Sequence, residues 1–334
     1  MKAFLLRRWF LLCLGIVIAT GFWKSETLLF VADFPPLRYA LVAAVLFLMA
    51  LPLEARAMWG TMRHLRVPAL GVAMNSAAIP LFVWFLVTAG GTWFFGRELS
   101  LGLLVTSATP CTLASASVWT RRAGGNDAAS IMVTMITNGT CFLVTPFWLL
   151  VTTGEHAELD GYQMIVKLAL IVVLPMSVAQ LVRLPRPVGW WATRHKISLA
   201  VWAQIGVLAM VFLGAVQTGH RFSSTGSRSS VGELGMLVLA VVGIHVLALV
   251  VGMAIARRLR FARRDQIAVG FAGSQKTLMV GLQVSLDLGF NIIPILTYHV
   301  SQLLVDTVIA DRLRRGHEPQ TASGGPECKM KNAK

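Results

Sequence analysis

Residues 266–285 read QIAVGFAGSQKTLMVGLQVS, and Lys276 carries the one charge among them. A helix rises ~1.5 Å per residue, so Lys276 lies ~15 Å into a hydrocarbon layer ~30 Å thick. A cation at that depth costs at least ~2.5 kcal/mol on insertion scales, so the chain must gain something from it. Gly270, Gly273, Ser274, Gln275 and Thr277 surround it with a polar, glycine-broken patch. At such patches helix gives way to irregular backbone lining a cavity.

A second anomaly lies at residues 106–112, TSATPCT. Pro110 removes a backbone donor and frees a carbonyl among Thr109, Cys111 and Thr112. The plainer reading is that Pro110 kinks one helix and Gly273 lets another pack closely. Two unwound stretches at matching places in the two halves of a membrane protein point instead to a solute site. Their half-helix ends offer partial positive charge to anions and free carbonyls to cations.

The rest of the chain must hold these segments in a bilayer. Of 334 residues, 56% are hydrophobic and only 13% charged, too apolar for a soluble protein of this size. Ten spans are expected, at about 8–23, 37–53, 67–89, 99–119, 127–151, 163–182, 197–217, 232–256, 266–285 and 290–310. With the N-terminus inside, 23 of the 30 lysines and arginines fall on inner segments and six on outer ones, leaving Lys276. That asymmetry places both termini in the cytoplasm and makes an even span count fit. The outer loop 154–161, GEHAELDG, has three acids and no base. Arg7 and Arg8 before the first span resemble a signal peptide, but no small-residue cleavage site follows, so the span reads as retained. The net charge of +15 sits in short loops and orients the protein, so a nucleic-acid partner is not expected.

Ten spans divide into two fives. Five is odd, so the second half enters the membrane from the opposite side, an inverted repeat. Span four then pairs with span nine, the two that carry the breaks. The expected fold is all-α: one transmembrane unit over 1–315, repeats at about 1–151 and 162–311, and a disordered cytoplasmic tail over 316–334. The four cysteines have neither disulfide nor zinc spacing.

Several segments carry a family resemblance. They are Ala123-Gly124-Gly125-Asn126-Asp127-Ala128-Ala129, Val173-Leu174-Pro175, and Gln180-Leu181-Val182-Arg183. To these add Phe271-Ala272-Gly273-Ser274-Gln275-Lys276-Thr277-Leu278 with Gly281, then Pro294, Tyr298-His299 and Gln302. In this order the chain resembles the sodium/bile-acid symporter superfamily, in its divergent SBF-like branch, as far as about Arg314. The resemblance implies a panel domain, a core domain, and discontinuous spans four and nine crossing near the midplane. It implies a solute carrier in a cell membrane, with a small anionic substrate and the bilayer as partners, and no enzyme. Classical members bind sodium through an acid four places before the glutamine that looks equivalent to Gln275. Phe271 stands there, and Lys276 replaces the asparagine that follows the glutamine. Sodium coupling therefore does not carry over. Lys276 reads as a replacement for the cation, as a group coupling transport to protons, or as a counter-charge for the solute.

The candidate substrate- or ion-binding residues are Asn75, Thr109, Pro110, Cys111, Thr112, Asn126, Asp127, Asn138, Ser274, Gln275, Lys276, Thr277 and His299. Asn75 reads equally as an interhelical amide, and Asp127 as a helix-start acid favoured by the dipole. Thr134, Thr137 and Asn138 form a polar stripe that lines a cavity or bonds back to its own helix. Asn126, Gln275 and the carbonyls near Pro110 are the expected neighbours of Lys276, with Asp127 to balance its charge. His245 reads as structural, and Asp306 as a surface ion pair with Arg312 or Arg314. Three other functions fit parts of the pattern. Pro110-Cys111-Thr112 with Val118-Trp119 looks like an arsenite permease of the same superfamily. Ser274 with Lys276 or His299 has the makings of a protease dyad. A membrane regulator of ion entry is the third.

Overall fold

The computed structural model describes residues 2–54, 65–153, 160–225 and 230–315. Arg56 and Arg63 of an inner loop, Glu155 and Glu158 of the acidic loop, Arg228 and the tail after 315 lie outside the described residues. Every element among those described is helical. In order they are α1 (Lys2–Trp23), α2 (Ser25–Ala32), α3 (Pro35–Ala50), α4 (Arg66–Ala73), α5 (Ile79–Leu86), α6 (Thr92–Ala108), α7 (Ser115–Arg122) and α8 (Asp127–Thr153). Then come α9 (Gly161–Leu168), α10 (Leu174–Val182), α11 (Arg186–Arg194), α12 (Lys196–Thr225), α13 (Val231–Arg258), α14 (Arg263–Ser274), α15 (Leu278–Asp287) and α16 (Ile293–Arg315).

Among the described residues, six stretches are long and apolar enough to cross a membrane: Arg66–Gly90, Asp127–Thr153, Gly161–Val182, Lys196–Ser224, Val231–Arg258 and Ile293–Arg315. A seventh forms if α1 and α2, bent by 103°, count as one span. The other expected spans are shorter or divided. The segment 37–53 is α3, of 16 residues. The segment 99–119 is split between α6 and α7, and 266–285 between α14 and α15. Large side chains such as Trp93, Phe30, Ile197 and Val231 stand exposed. An apolar surface of this kind is covered by lipid in a membrane protein.

The helices pack in two groups. In one, α12 lies against α1, α2 and α3, and α10 against α3. In the other, α13 packs on α14 and α16, while α8 packs on α4, α6, α7 and α14. Contacts of α8 with α9 and of α12 with α15 join them. The second group holds most of the buried polar side chains among the described residues, including Asn75, Asn138, His245, Gln275, Lys276, Gln302 and Asp306. Gly281 permits a tight seam there, since a Cβ on it would stand 2.6 Å from Ile295 and 3.2 Å from Thr109.

One irregularity matters for the site. Between α4 and α5 the helix widens to a π-turn over Met74–Ala78. Ile79 N–H donates to Met74 O, five residues back, so the carbonyl of Asn75 loses its usual donor. Pro80 has no N–H to give Ser76, whose carbonyl instead accepts from Trp148 Nε1 at 2.7 Å. Two carbonyls in mid-span are thereby released to side chains from elsewhere.

Candidate functional site

The first break runs from Thr109 to Ala114, between α6 and α7. Its backbone is satisfied by α8. Thr145 Oγ1 donates to Ala108 O at 2.8 Å, and Asn138 Nδ2 to Cys111 O at 2.8 Å. Cys111 N donates to Thr137 Oγ1 at 3.3 Å, and Thr134 Oγ1 to Thr112 O at 3.2 Å. The polar stripe of α8 thus replaces the hydrogen bonds that unwinding removes, as buried backbone requires.

The second break covers Gln275 to Thr277, between α14 and α15. Gln302 of α16 grips the Lys276 backbone on both sides: its Oε1 accepts from Lys276 N and its Nε2 donates to Lys276 O, each at 2.9 Å. Thr277 N donates to Pro110 O at 2.8 Å, which ties the two breaks directly together.

Lys276 is fully buried. Its Nζ donates to Asn75 O at 2.7 Å and to Thr109 O at 2.9 Å, with Asn75 Oδ1 at 3.5 Å. Three oxygens therefore meet three ammonium protons. The carbonyl acceptors are those left open by the π-turn and by the end of α6. Asn75 also holds the break, since its Nδ2 donates to Gln275 O at 2.7 Å.

The Gln275 side chain joins three elements. Its Nε2 donates to Asp306 Oδ2 at 2.5 Å. Its Oε1 lies 2.5 Å from Thr112 Oγ1 and 2.8 Å from Ser115 Oγ. Behind it, Asp306 Oδ1 stands 2.7 Å from His245 Nε2, and both side chains are buried.

A cavity of about 120 Å³ opens beside the two breaks, between the helix groups. Thr112, Leu113, Ala114 and Ser115 line it from the start of α7, and Thr277, Leu278 and Met279 from the start of α15. His299 and Leu303 add one wall; Phe10, Met49, Gln204 and Val207 add the other. The Lys276 side chain is not part of this lining.

A family model for the SBF-like CPA transporter family matches residues 8–315. The chain belongs to that family. As a member it is a multi-pass membrane transporter with a small-molecule substrate. Mouse "Sodium/bile acid cotransporter 7" is 24% identical over 322 residues, covering 92% of this chain and 93% of the mouse protein. "Putative symporter YfeH" of Escherichia coli K12 is 27% identical over 302 residues, covering 86% of this chain and 87% of that protein.

This SBF-like chain brings Asn75, Thr109, Pro110, Thr112, Gln275, Lys276 and Thr277 into one hydrogen-bonded seam. Cys111 and Asn138 support it. Cys111 is buried with its Sγ 3.5 Å from Thr134 Oγ1, and it does not line the cavity. The structure does not bring Asn126 and Asp127 to Lys276. Asn126 Nδ2 donates to Asp265 at 2.8 Å, and Asp127 pairs with Arg121 at 2.5 Å on the exposed surface. Asp127 starts α8 and Asn126 precedes it, so both stay at the helix end, where the dipole favours an acid. Ser274 contributes its carbonyl, which accepts from Tyr298 OH at 2.9 Å, while its hydroxyl donates to Phe271 O. Lys276 spends its protons on Asn75 and Thr109, so no dyad with Ser274 forms.

Asp306 is the main correction. It is not a surface ion pair with Arg312 or Arg314 but a buried partner of His245 and Gln275. A signal for it was present. Tyr298, Gln302 and Asp306 recur every four residues, which puts them on one face of α16.

Proposed function

We propose that this protein is a secondary active transporter of a small organic anion, working by alternating access, with Lys276 in place of a coupling cation. The observation that carries the reading is the seat of the Lys276 ammonium. It lies among oxygens of Asn75 and Thr109 at the junction of two broken helices. In transporters of this general design, carbonyls freed at such breaks coordinate the coupling cation. Here the cation is attached to the chain, and a second one close by would be repelled strongly in a site of low dielectric. Phe271, where classical relatives carry an acid, agrees with that.

The anionic character of the solute is supported by the helix ends rather than by Lys276. The N-termini of α7 and α15 converge on one cavity, and each presents partial positive charge. His299 adds a polar wall. Candidate solute contacts are Thr112, Ser115, Thr277 and His299. Asn75, Thr109, Pro110, Gln275 and Lys276 form the ion-like seat.

Ten spans in two inverted repeats, about 1–151 and 162–311 within a unit of 1–315, agree with this arrangement. The two helix groups correspond to a panel and a core. The excess of basic residues in alternate loops supports a cell (inner or plasma) membrane protein with both termini on the cytoplasmic side. The cavity then lies on the inner side. On the outer side Asp287 is tied to Arg38 at 3.4 Å and to Lys167 at 3.2 Å, as in an inward-facing state.

The test is uptake into vesicles reconstituted with the full chain, using a panel of carboxylates and sulfonates with cholate and taurocholate among them. Saturable uptake that persists when potassium replaces sodium is expected. Sodium-stimulated uptake would sink the role given to Lys276, and no uptake of any probe would sink the organic-anion reading.

A further inference from the structure

His245 on α13 and Asp306 on α16 take no part in the Lys276 seat, yet both are buried in the same group of helices. His245 Nε2 stands 2.7 Å from Asp306 Oδ1. Its other ring nitrogen, Nδ1, stands 3.3 Å from the carbonyl oxygen of Ser274, the last residue of α14. A neutral imidazole has one donor nitrogen and one acceptor nitrogen. Here both nitrogens face oxygens that accept. Either the ring is an imidazolium beside a carboxylate, or a neutral ring donates from Nδ1 and accepts from a protonated Asp306. The two forms hold the same number of protons, one more than a neutral ring beside a bare carboxylate.

We infer that His245 and Asp306 form a proton-binding site, loaded in this structure, whose occupancy fastens the end of α14 and makes the proton the coupling ion. Without that proton, a lone pair of the ring would face an oxygen inside the protein, which is costly at low dielectric. Either Ser274 or the carboxylate must then shift. Both bear on the second break: Ser274 precedes Gln275, and Asp306 Oδ2 holds the Gln275 amide at 2.5 Å. Gln275 in turn meets Thr112 and Ser115 at the cavity wall. Proton occupancy and the shape of the cavity therefore share one residue.

Other titratable groups near the pair are few among the described residues. Tyr298 of α16 packs edge-on against the His245 ring, with centroids 5.9 Å apart. His299 on the same helix contacts Gln302. Lys276 comes from the second break and Cys111 from the first. Arg263, Arg264 and Asp265 lie at the far end of α14, Arg257 and Arg258 at the far end of α13, and Arg97 and Glu98 at the start of α6. From α4, α5 and the turn between them Asn75, not titratable, is the polar group in the seam.

This inference rests on the transporter reading for its coupling half alone, and the experiment separates the two. The full chain in lipid nanodiscs is followed by hydrogen–deuterium exchange at Gln275, Lys276 and Thr277 from pH 5.5 to 8.5, corrected for the chemical rate. Their protection is expected to fall about tenfold through one transition as pH rises. Asp306→Asn and His245→Gln are expected to flatten it. Constant protection in the unmodified protein overturns the site, and needs no variant to fold. A transition kept at the same pH in a folded variant also overturns it. In reconstituted vesicles, taurocholate uptake indifferent to an imposed pH gradient would overturn the coupling and leave the organic-anion reading intact. Absence of uptake would remove that reading and leave the proton site standing on the exchange data.

Discussion

Lys276 Nζ donates to the main-chain oxygen of Asn75 at 2.7 Å, across 201 positions of sequence. The bond needs two defects at once: a lysine where the second broken helix has no helix, and a carbonyl that a π-turn has left without a donor. Neither defect is useful alone. A buried ammonium without a partner, or a buried carbonyl left open, would each be costly.

Replacing the lysine therefore tests both stability and transport. Lys276→Gln is expected to abolish uptake or to make it newly dependent on sodium. Lys276→Arg should impair uptake as well, because a planar fork does not fill the place of a compact ammonium. Full sodium-independent activity in Lys276→Gln, measured in vesicles, would contradict the role given to the residue.

Gln302 offers a test of the backbone at the break. Gln302→Leu deprives Lys276 N and Lys276 O of their partners in a buried seam. Two buried groups left unmatched should cost about 2–6 kcal/mol, read as a lowered thermal unfolding midpoint in detergent.

Asp127 supplies the contrast. Its pair with Arg121 is exposed, so Asp127→Ala should cost less than about 1 kcal/mol and leave uptake near the unmodified level. A collapse of transport in Asp127→Ala would put the solute or ion path at the start of α8 after all.

Cys111 is buried in the first break, whereas Cys13 on α1 is partly exposed. A membrane-permeant maleimide should label Cys111 at no more than roughly a tenth of the Cys13 rate, by mass spectrometry of the folded protein. Equal labelling would mean that the cavity reaches the thiol, and would revive the arsenite reading.

Several features were legible in the amino-acid sequence because their causes are local. Proline at 110 acts on its own backbone, so the first interruption was readable without any neighbour. The second was expected over Gly273–Lys276 and falls at Gln275–Thr277; Gly270 and Gly273 stay helical in α14, where a Cβ would stand 2.7 Å from Met253 and 3.0 Å from Met74, so they serve close packing. The membrane class followed from composition. The extra short helices α2 and α11 were not foreseen, nor was the 103° bend after α1, where no proline marks the turn.

The partners of the charged groups were decided by packing. Asp306 stands near Arg312 and Arg314 in the chain and so looks like a surface acid. Yet α13 lies against α16 and turns that carboxylate toward His245, 61 residues away in sequence. Asn126 and Asp127 are the opposite case, polar residues next to a break in sequence whose helix end keeps them at the surface. A buried charge is tolerated only where oxygens or protons converge from several elements, and that convergence is a property of the assembled helices rather than of any one segment.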